Sequence, residues 1–531
     1  MNRIFTILII LVTWTFAEST DPGTNPLRTL EFEQWDGNQV SSWFGNNGHL
    51  VSHIPTGASG LEWPKSSGKT AVFASGLWVI SGSTNGEVDI RSAAVEFTSE
   101  FQPGIFESSP NEAEYRLYHI RAGDNASTPD WIDWPVDQGA PWIDIDEDTM
   151  YNPDIDEPDV LGDQFSWYVM NDGDQNTHSQ LWSTQPLGIE VRTSHFGWDA
   201  DTILTNVMFF NWAITNAGNN ELDSVYASVW CDPDLGDASD DYIGCDPALH
   251  LGYCYNDFGG DQTYGAAPPA MGCVLLQGPI VQSPGDTAWV SGDPVPDYRN
   301  LDMTAFSVYI NGDTLLSDPE TAGEAYNYMN GLMANGNPYV DPASGTTSRF
   351  VMSGDPVSGE GWVDHVYGNS GDRRFLLSCG PFSLAAGASQ EMIGALLLAQ
   401  GEDNLSSITE LRTLTNSVTS FWELLQQGIF TDIATSTLPV SYVLNQNYPN
   451  PFNPITTIEY SLPEASSVNL TIFNIRGQEI MTLQEALKAP GKYDVQWNGM
   501  DQSENPVNTG VYFARLEAGE YTKTIKMLYL K

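Results

Sequence analysis

Between residues 70 and 401 turn residues keep interrupting the apolar stretches of the chain. Runs of strand length recur instead: TAVFASGLWVISG (70–82), VDIRSAAVEF (88–97), EYRLYHI (114–120), FSWYVMND (165–172), ILTNVMFFNWAITNAG (203–218) and LDSVYASVW (222–230). TAFSVYING (304–312), RRFLLSCGPFSL (373–384) and SQEMIGALLLAQG (389–401) continue the series. Gly, Asn, Asp and Pro separate them, and β-branched and aromatic residues fill them. That pattern specifies an all-β architecture of antiparallel sandwich type. No fixed repeat period is present, so a propeller is unsupported. Two segments depart from it. SDPETAGEAYNYMNGLM (317–333) predicts a helix capped by Ser317, with Pro319 and Glu320 in its first turn. NLSSITELRTLTNSVTSFWELLQQG (404–428) predicts a second, with Leu405, Ile408, Leu411, Leu414, Val418, Phe421 and Leu425 on one face.

The ends of the chain read differently from its middle. Arg3, the apolar run Ile4–Phe16 and small Ala17 form a secretory signal-peptide pattern over residues 1–17, and no later run reaches membrane-spanning length. Near the other end stands PNPFNP (449–454), whose prolines fit neither a helix nor a central strand. Pro449, Pro451 and Pro454 predict a rigid linker over 439–454, with Tyr448 and Phe452 as anchors. Alternating runs follow it, punctuated by Pro463, Gly477, Gly491, Gly499, Gly510 and Gly519, and predict a compact β-sandwich over 455–531. The acidic region between, 18–438, is expected to hold two or more β subdomains.

The tail also resembles a known family. NYPNPFNP (447–454), TTIEYSLP (456–463), LTIFNIRGQEI (470–480), Gly491, Tyr493, WNGMD (497–501), NTGVYFARL (508–516) and KTIKMLYLK (523–531) carry the likeness. Together they resemble the C-terminal sorting domain of proteins exported by type IX secretion, in the subtype similar to the immunoglobulin-like domain of flagellar hook-capping proteins. The resemblance implies an immunoglobulin-like fold, the type IX secretion machinery as partner, and delivery through the periplasm to the outer surface or the medium. In that family the domain is often cleaved. GLWVISG, SEFQPG, GDQFSWYVMND, DPDLGDASDDYIGCD and RRFLLSCGPFSLAAG are similar to stretches of large secreted proteins with such tails, a likeness that brings no activity with it.

Charge narrows the partners. The chain carries 69 acidic and 20 basic residues, a net charge of −49. Nearly all of it lies before residue 441, where 13 basic residues face 60 acidic ones; the tail has seven against nine. Nucleic acid and anionic lipid are excluded as partners, since both need a basic footprint. Divalent cations are the natural counter-ions. In DWIDWPVDQGAPWIDIDEDTMYNPDIDEPDVLGDQ (130–164), Asp144, Asp146 and Asp148 alternate, and Asp154 and Asp156 follow. A complete EF-hand fails, because its sixth and twelfth positions are Thr149 and Ile155. A looser calcium loop survives, beside the alternative of a solvated acidic loop. WCDPDLGDASDDYIGCDPALHLGYCYND (230–257) reads as a second acidic loop, with Asp232, Asp234, Asp237 and Asp241 as calcium ligands.

Cys231, Cys245, Cys254, Cys273 and Cys379 leave three readings open: a local disulfide, buried free thiols, or a zinc site whose spacing fits no standard pattern. His49 and His53 have i,i+4 spacing without the glutamate of a zinc protease, and read as structural. No nucleotide loop or nucleophile elbow is present. The 17 tryptophans include Trp131, Trp134, Trp142, Trp167, Trp182, Trp198, Trp212 and Trp230, and suit a core first and a sugar platform second. Glu96, Glu100, Glu190 and Glu391 are acid/base candidates without a distinguishing pattern. Two functional readings follow. One is an exported, noncatalytic, calcium-stabilised protein that binds glycans or surface proteins. The other is an extracellular hydrolase acting on polysaccharide or protein, marked by two carboxyl groups facing each other across an aromatic cleft.

Overall fold

The structure, a computed structural model, describes residues 30–109, 112–178, 181–199, 203–310, 312–314, 316–427, 442–462, 466–488, 491–502, 505–519 and 521–530. The signal-peptide segment lies outside them. The chain is mainly β, and its named strands pair antiparallel throughout. Among the described residues a nine-stranded sheet runs Asp241–Asp246, Leu251–Asn256, Ala270–Gln277, Ser389–Ala399, Val207–Asn216, Ile189–Gly197 and Gln164–Asn171; Gln102–Pro103 and Tyr118–Arg121 both pair with Gln164–Asn171. A six-stranded sheet runs Ala305–Ile310, Arg373–Leu384, Leu222–Asp232, Ala74–Thr84 and His49–Val51, with Glu87–Ala94 also paired to Ala74–Thr84.

The nine-stranded sheet is covered on both faces. Successive side chains of a strand point to opposite faces. In Val207–Asn216, Met208, Phe210, Trp212 and Ile214 therefore join the core shared with the six-stranded sheet. Val207 and Phe209 join the core on the other face. A strand buried on both sides loses the polar alternation of a half-exposed one, which is why Asn211 is the one polar residue in VMFFNWAI. Gly394 lies opposite Phe210 in the neighbouring strand, where a Cβ would stand 2.5 Å from the ring and 2.7 Å from the Val274 carbonyl oxygen. Only glycine lets the strands close there.

The second face is sealed by the helix Asn404–Gln426, whose Ile408, Leu411, Val418, Phe421 and Trp422 are buried against the sheet. Asp403 caps it, accepting from the Ser406 amide at 2.8 Å. Phe421 meets Trp198 edge-on with ring centroids 5.1 Å apart. The other expected helix is shorter than its sequence pattern suggests: it runs Ala322–Met329, with Thr321 rather than Ser317 as the cap. Thr321 accepts from the Glu324 amide at 3.2 Å, and Glu324 accepts from the Thr321 amide at 3.2 Å. That reciprocal box sets the first helical residue at Ala322, so Pro319 and Glu320 precede the helix instead of forming its first turn.

The stretch 230–257 is not the single acidic loop its sequence suggests. It contains the strands Asp241–Asp246 and Leu251–Asn256, paired as a hairpin. Tyr242, Ile243 and Cys245 on one side and Tyr253, Cys254 and Tyr255 on the other are strand formers that outweigh the flanking aspartates.

The tail forms its own sandwich. One sheet runs Val443–Leu444, Thr456–Leu462 and Gly491–Trp497; the other runs Glu479–Lys488, Ser466–Asn474, Gly510–Ala518 and Tyr521–Tyr529. Its core consists of tail residues alone, including Ile458, Leu470, Trp497 and Met527. Phe452 of PNPFNP is buried, 5.4 Å from the Trp497 ring and 5.0 Å from Tyr529, and its backbone bridges to Leu528 and Leu530. Tyr448, the other expected anchor, is 82 % exposed. The segment 442–454 thus supplies a short strand and a plug to the sandwich.

Replacing Phe421 by alanine removes a fully buried ring from the helix–sheet contact. A loss of about 3–5 kcal/mol is expected by denaturant unfolding of the full chain, against a change under about 0.5 kcal/mol for Val88→Ala at a 91 % exposed position. Equal midpoints for the two variants would contradict this packing.

Candidate functional site

The first acidic loop is pinched at its base by pairing of Trp142–Ile143 with Glu157–Pro158. Glu147 and Thr149 have φ of 59° and 66°, so the chain doubles back between them and brings its carboxylates together. Asp144, Asp146 and Asp156 each offer an oxygen within 4.8 Å of the other two. The oxygens of two of them already accept backbone hydrogen bonds. Asp144 takes the Asp148 and Thr149 amides at 3.2 and 2.8 Å, and buried Asp156 takes the Ile145 and Asn152 amides at 3.0 and 2.7 Å. Asp146 is held above the usual carboxylate range by desolvation and by Asp148 and Asp156. Asp148 turns to the Met150 amide at 2.7 Å, and Asp154 is exposed; neither belongs to the three-carboxylate group. Trp131 and Trp142 brace this loop. Trp131 Nε1 donates to the Pro153 carbonyl at 3.2 Å, Tyr151 donates its hydroxyl proton to the Trp131 carbonyl at 2.7 Å, and Trp142 meets Tyr151 edge-on.

The second group gathers Asp232, Asp234 and Asp372, again with one oxygen each within 4.8 Å of the others. Asp232 ends the strand Leu222–Asp232, and Asp234 follows with φ of 43°. Asp372 stands just before the paired strand Arg373–Leu384. Cys231 lies opposite Phe375 in the register, so both strand ends arrive at one place. Arg374 supplies the local positive charge: its Nε is 3.2 Å from Asp232 Oδ2, and it also reaches Asp318 at 2.6 Å and Asp372 at 3.8 Å. Burial, aided by Asp234 and Asp372 and opposed by Arg374, pushes the Asp232 carboxyl up to about 7. Burial and then Asp372 push Asp234 up to about 6.

Asp237 and Asp241 are placed elsewhere. Asp237 caps a short 3₁₀ turn, accepting from the Ser239 amide at 3.0 Å. Asp241 is fully buried, accepts from the Leu235 amide at 3.0 Å, and is raised well above the usual range by burial. Asp372 was not among the sequence candidates. It lies far along the chain from Asp232, and only the strand register brings the two together.

The cysteines settle on one of their three readings: all five are free and buried. Cys231, Cys245, Cys254, Cys273 and Cys379 all face the core between the two sheets, where burial pushes their thiols up. His250 faces Asp302 at 3.7 Å, and the three-ligand groups found among the described residues contain aspartates alone. His49 is buried with Nδ1 2.9 Å from Asn47 Oδ1, and burial lowers its pKa to about 4. Of the eight tryptophans singled out, Trp134, Trp167, Trp198, Trp212 and Trp230 are core residues.

Three of the four candidate acids, Glu100, Glu190 and Glu391, are engaged. Glu190 accepts from the Phe106 amide at 3.0 Å and pairs with Arg192 at 3.2 Å. Glu391 accepts from Asn211, Gln277 and the Ser291 amide. Glu100 is fully buried, accepts from Ser92 and the Ala94 amide through Oε2, and is pushed up to about 8 by burial. Burial and Asp318 push Glu96 up to about 7. Sequence reading missed a Ser166–His119–Glu33 string, in which Ser166 Oγ is 2.8 Å from His119 Nδ1 and Glu33 meets Nε2. Ser166 has no exposed surface, so no substrate carbonyl can reach it. The string is a strand-to-strand tie rather than a nucleophilic centre.

Residues 454–522 match the FlgD Ig-like domain model, and the C-terminal sandwich is a domain of that kind. No curated protein matches the chain. Among solved structures, a polysaccharide lyase is similar over 95 % of this chain and 46 % of its own, at 9 % identity and a TM-score of 0.25. PorZ, an essential bacterial surface component of the type IX secretion system of Porphyromonas gingivalis, is similar over 94 % of this chain and 58 % of its own, at 11 % identity and a TM-score of 0.18. Dimeric latent PorU of the same organism is similar over 86 % and 34 %, at 9 % identity and a TM-score of 0.15. The chain spans less than two thirds of the length of each of these three. Among the described residues no helix is long and apolar enough to cross a membrane.

Glu100 makes a pH prediction. Its folded pKa is raised to about 8 from 4.5. Its contribution to stability is therefore complete below about pH 4.5 and is lost as pH rises through about 8. In chelator, the urea midpoint of the full chain should fall between about pH 5 and about pH 9, and Glu100→Gln should flatten that fall. Parallel curves would assign the pH dependence to other groups.

Proposed function

We propose that this is an exported extracellular protein: its C-terminal immunoglobulin-like domain addresses it to type IX secretion machinery, and the region before it travels as a noncatalytic, calcium-stabilised cargo. The observation that carries the export reading is the FlgD Ig-like match over residues 454–522, together with Phe452 of PNPFNP seated in that domain's own core. An address domain must be recognisable whatever it is attached to, and a sandwich with a private core meets that need. The destination is the outer cell surface or the medium, reached through the periplasm, where a glycan or another surface protein is the expected partner. A net charge of −49 suits such a partner better than nucleic acid or anionic lipid.

Noncatalysis is supported by the commitments of three of the four candidate acids. Glu100, Glu190 and Glu391 hold backbone and side-chain donors in place, and Ser166 is inaccessible. Calcium is supported by the loop 144–156, whose Asp144, Asp146 and Asp156 provide the oxygen-only donors that this ion takes.

Deleting residues 441–531 should leave the cargo in the periplasm of a host with working type IX secretion, as read by cell fractionation. Surface delivery of the deleted chain would refute the address. For the loop, calcium restored after chelation should raise the melting temperature, by about 2.7 kcal/mol of added stability at free calcium a hundredfold above its dissociation constant. Magnesium at equal ionic strength controls for screening. An unchanged melting curve would leave a solvated acidic loop.

A further inference from the structure

The two acidic groups differ in how their oxygens are engaged. In the loop 144–156 each oxygen of Asp144 and Asp156 accepts a backbone amide. At the end of the six-stranded sheet Asp232 is only 2 % exposed, yet among the described residues its Oδ1 has no hydrogen-bond partner. A buried carboxylate oxygen left without a donor is costly. Arg374 engages the other oxygen of Asp232 and is shared with Asp318 and Asp372. Arg374 is thus shared among several aspartates rather than dedicated to Asp232.

We propose that Asp232, Asp234 and Asp372 hold a divalent cation, calcium by its donor set, which completes the coordination of Asp232 and ties the end of Leu222–Asp232 to the start of Arg373–Leu384. Calcium accepts six to eight oxygens in flexible geometry, so three carboxylates can be joined by water. Asp234 and Asp372 are both partly exposed, which gives the ion a way in and room for those waters. Magnesium, which wants near-ideal octahedral geometry and gives up its water reluctantly, suits this irregular trio less well. Arg374 stays in place as the partner of Asp318 and of the second Asp232 oxygen. The site stands apart from the loop 144–156 and does not rest on that loop binding calcium.

Equilibrium dialysis of the full chain against radioactive calcium, after chelation, counts bound ions. The double variant Asp234→Asn/Asp372→Asn changes the two partly exposed ligands and leaves buried Asp232 and its ion pair intact. It should lose one bound calcium per chain relative to wild type, whereas Asp144→Asn/Asp146→Asn should keep that ion. Near-ultraviolet circular dichroism verifies that both variants are folded. If the double variant fails to fold, anomalous scattering from wild-type crystals soaked in terbium reads the site directly, with a peak among the three carboxylates expected. Undiminished calcium binding by the folded double variant, or soaked crystals without a peak at this place, would overturn the site. Loss of an ion in the loop variant alone would place calcium in the loop and likewise overturn it here.

Discussion

Everything in the cargo region depends on one sheet being buried from both sides. Strand Val207–Asn216 sends Phe210 and Trp212 toward the six-stranded sheet, and Phe209 toward the helix Asn404–Gln426. Its neighbours do the same. Met392, Leu396 and Leu398 face one way, while Ile393, Ala395 and Leu397 face the other. With period-two side chains, a one-residue slip would exchange the two faces and misfit both cores at once. Register in this sheet is therefore held by two independent packings.

The same burial explains the odd chemistry of the carboxylates. A chain with 69 acidic residues and 20 basic ones cannot pair each carboxylate with a cation of its own. The carboxylates are accommodated in three ways. Backbone amides cap Asp144, Asp156 and Asp241. Arginines Arg373 and Arg374 open the strand Arg373–Leu384, Arg373 paired with buried Asp364 and Arg374 with Asp232. Elsewhere burial favours the protonated form, as at Glu100 and Glu96. A raised carboxyl group in this protein thus reflects burial first, with neighbouring carboxylates second, and counting raised acids is a poor guide to an active site.

What could be read from the residues followed the range of the forces involved. Strand runs such as FSWYVMND and LDSVYASVW became Gln164–Asn171 and Leu222–Asp232, because β-branched and aromatic patterning acts locally. The long helix was legible from its three-four spacing and ran nearly as expected. The hairpin Asp241–Asp246/Leu251–Asn256 was hidden by aspartates that mark strand ends rather than a loop. The candidate cation groups were half legible. Asp144, Asp146 and Asp156 are close in sequence, and the turn that gathers them is local. Asp372 meets Asp232 only through the pairing of Leu222–Asp232 with Arg373–Leu384, and no short stretch of sequence encodes that register.

PNPFNP shows how a proline-rich segment can be structural without being a strand. Proline cannot donate to a ladder, so such a segment is expected at an edge or outside the sheet. Here the non-proline residue between them does the pairing: the Phe452 amide donates to Leu528 and its carbonyl accepts from Leu530, each at 3.0 Å. Its ring enters the gap between Trp497 and Tyr529. Asn450 completes the attachment, accepting from the Leu528 amide at 2.8 Å. The prolines stiffen the approach, and Phe452 and Asn450 fasten it to the last strand, Tyr521–Tyr529. The first and last segments of the domain therefore close on each other. A truncation at either end should strip the same core, which makes the domain behave as a unit.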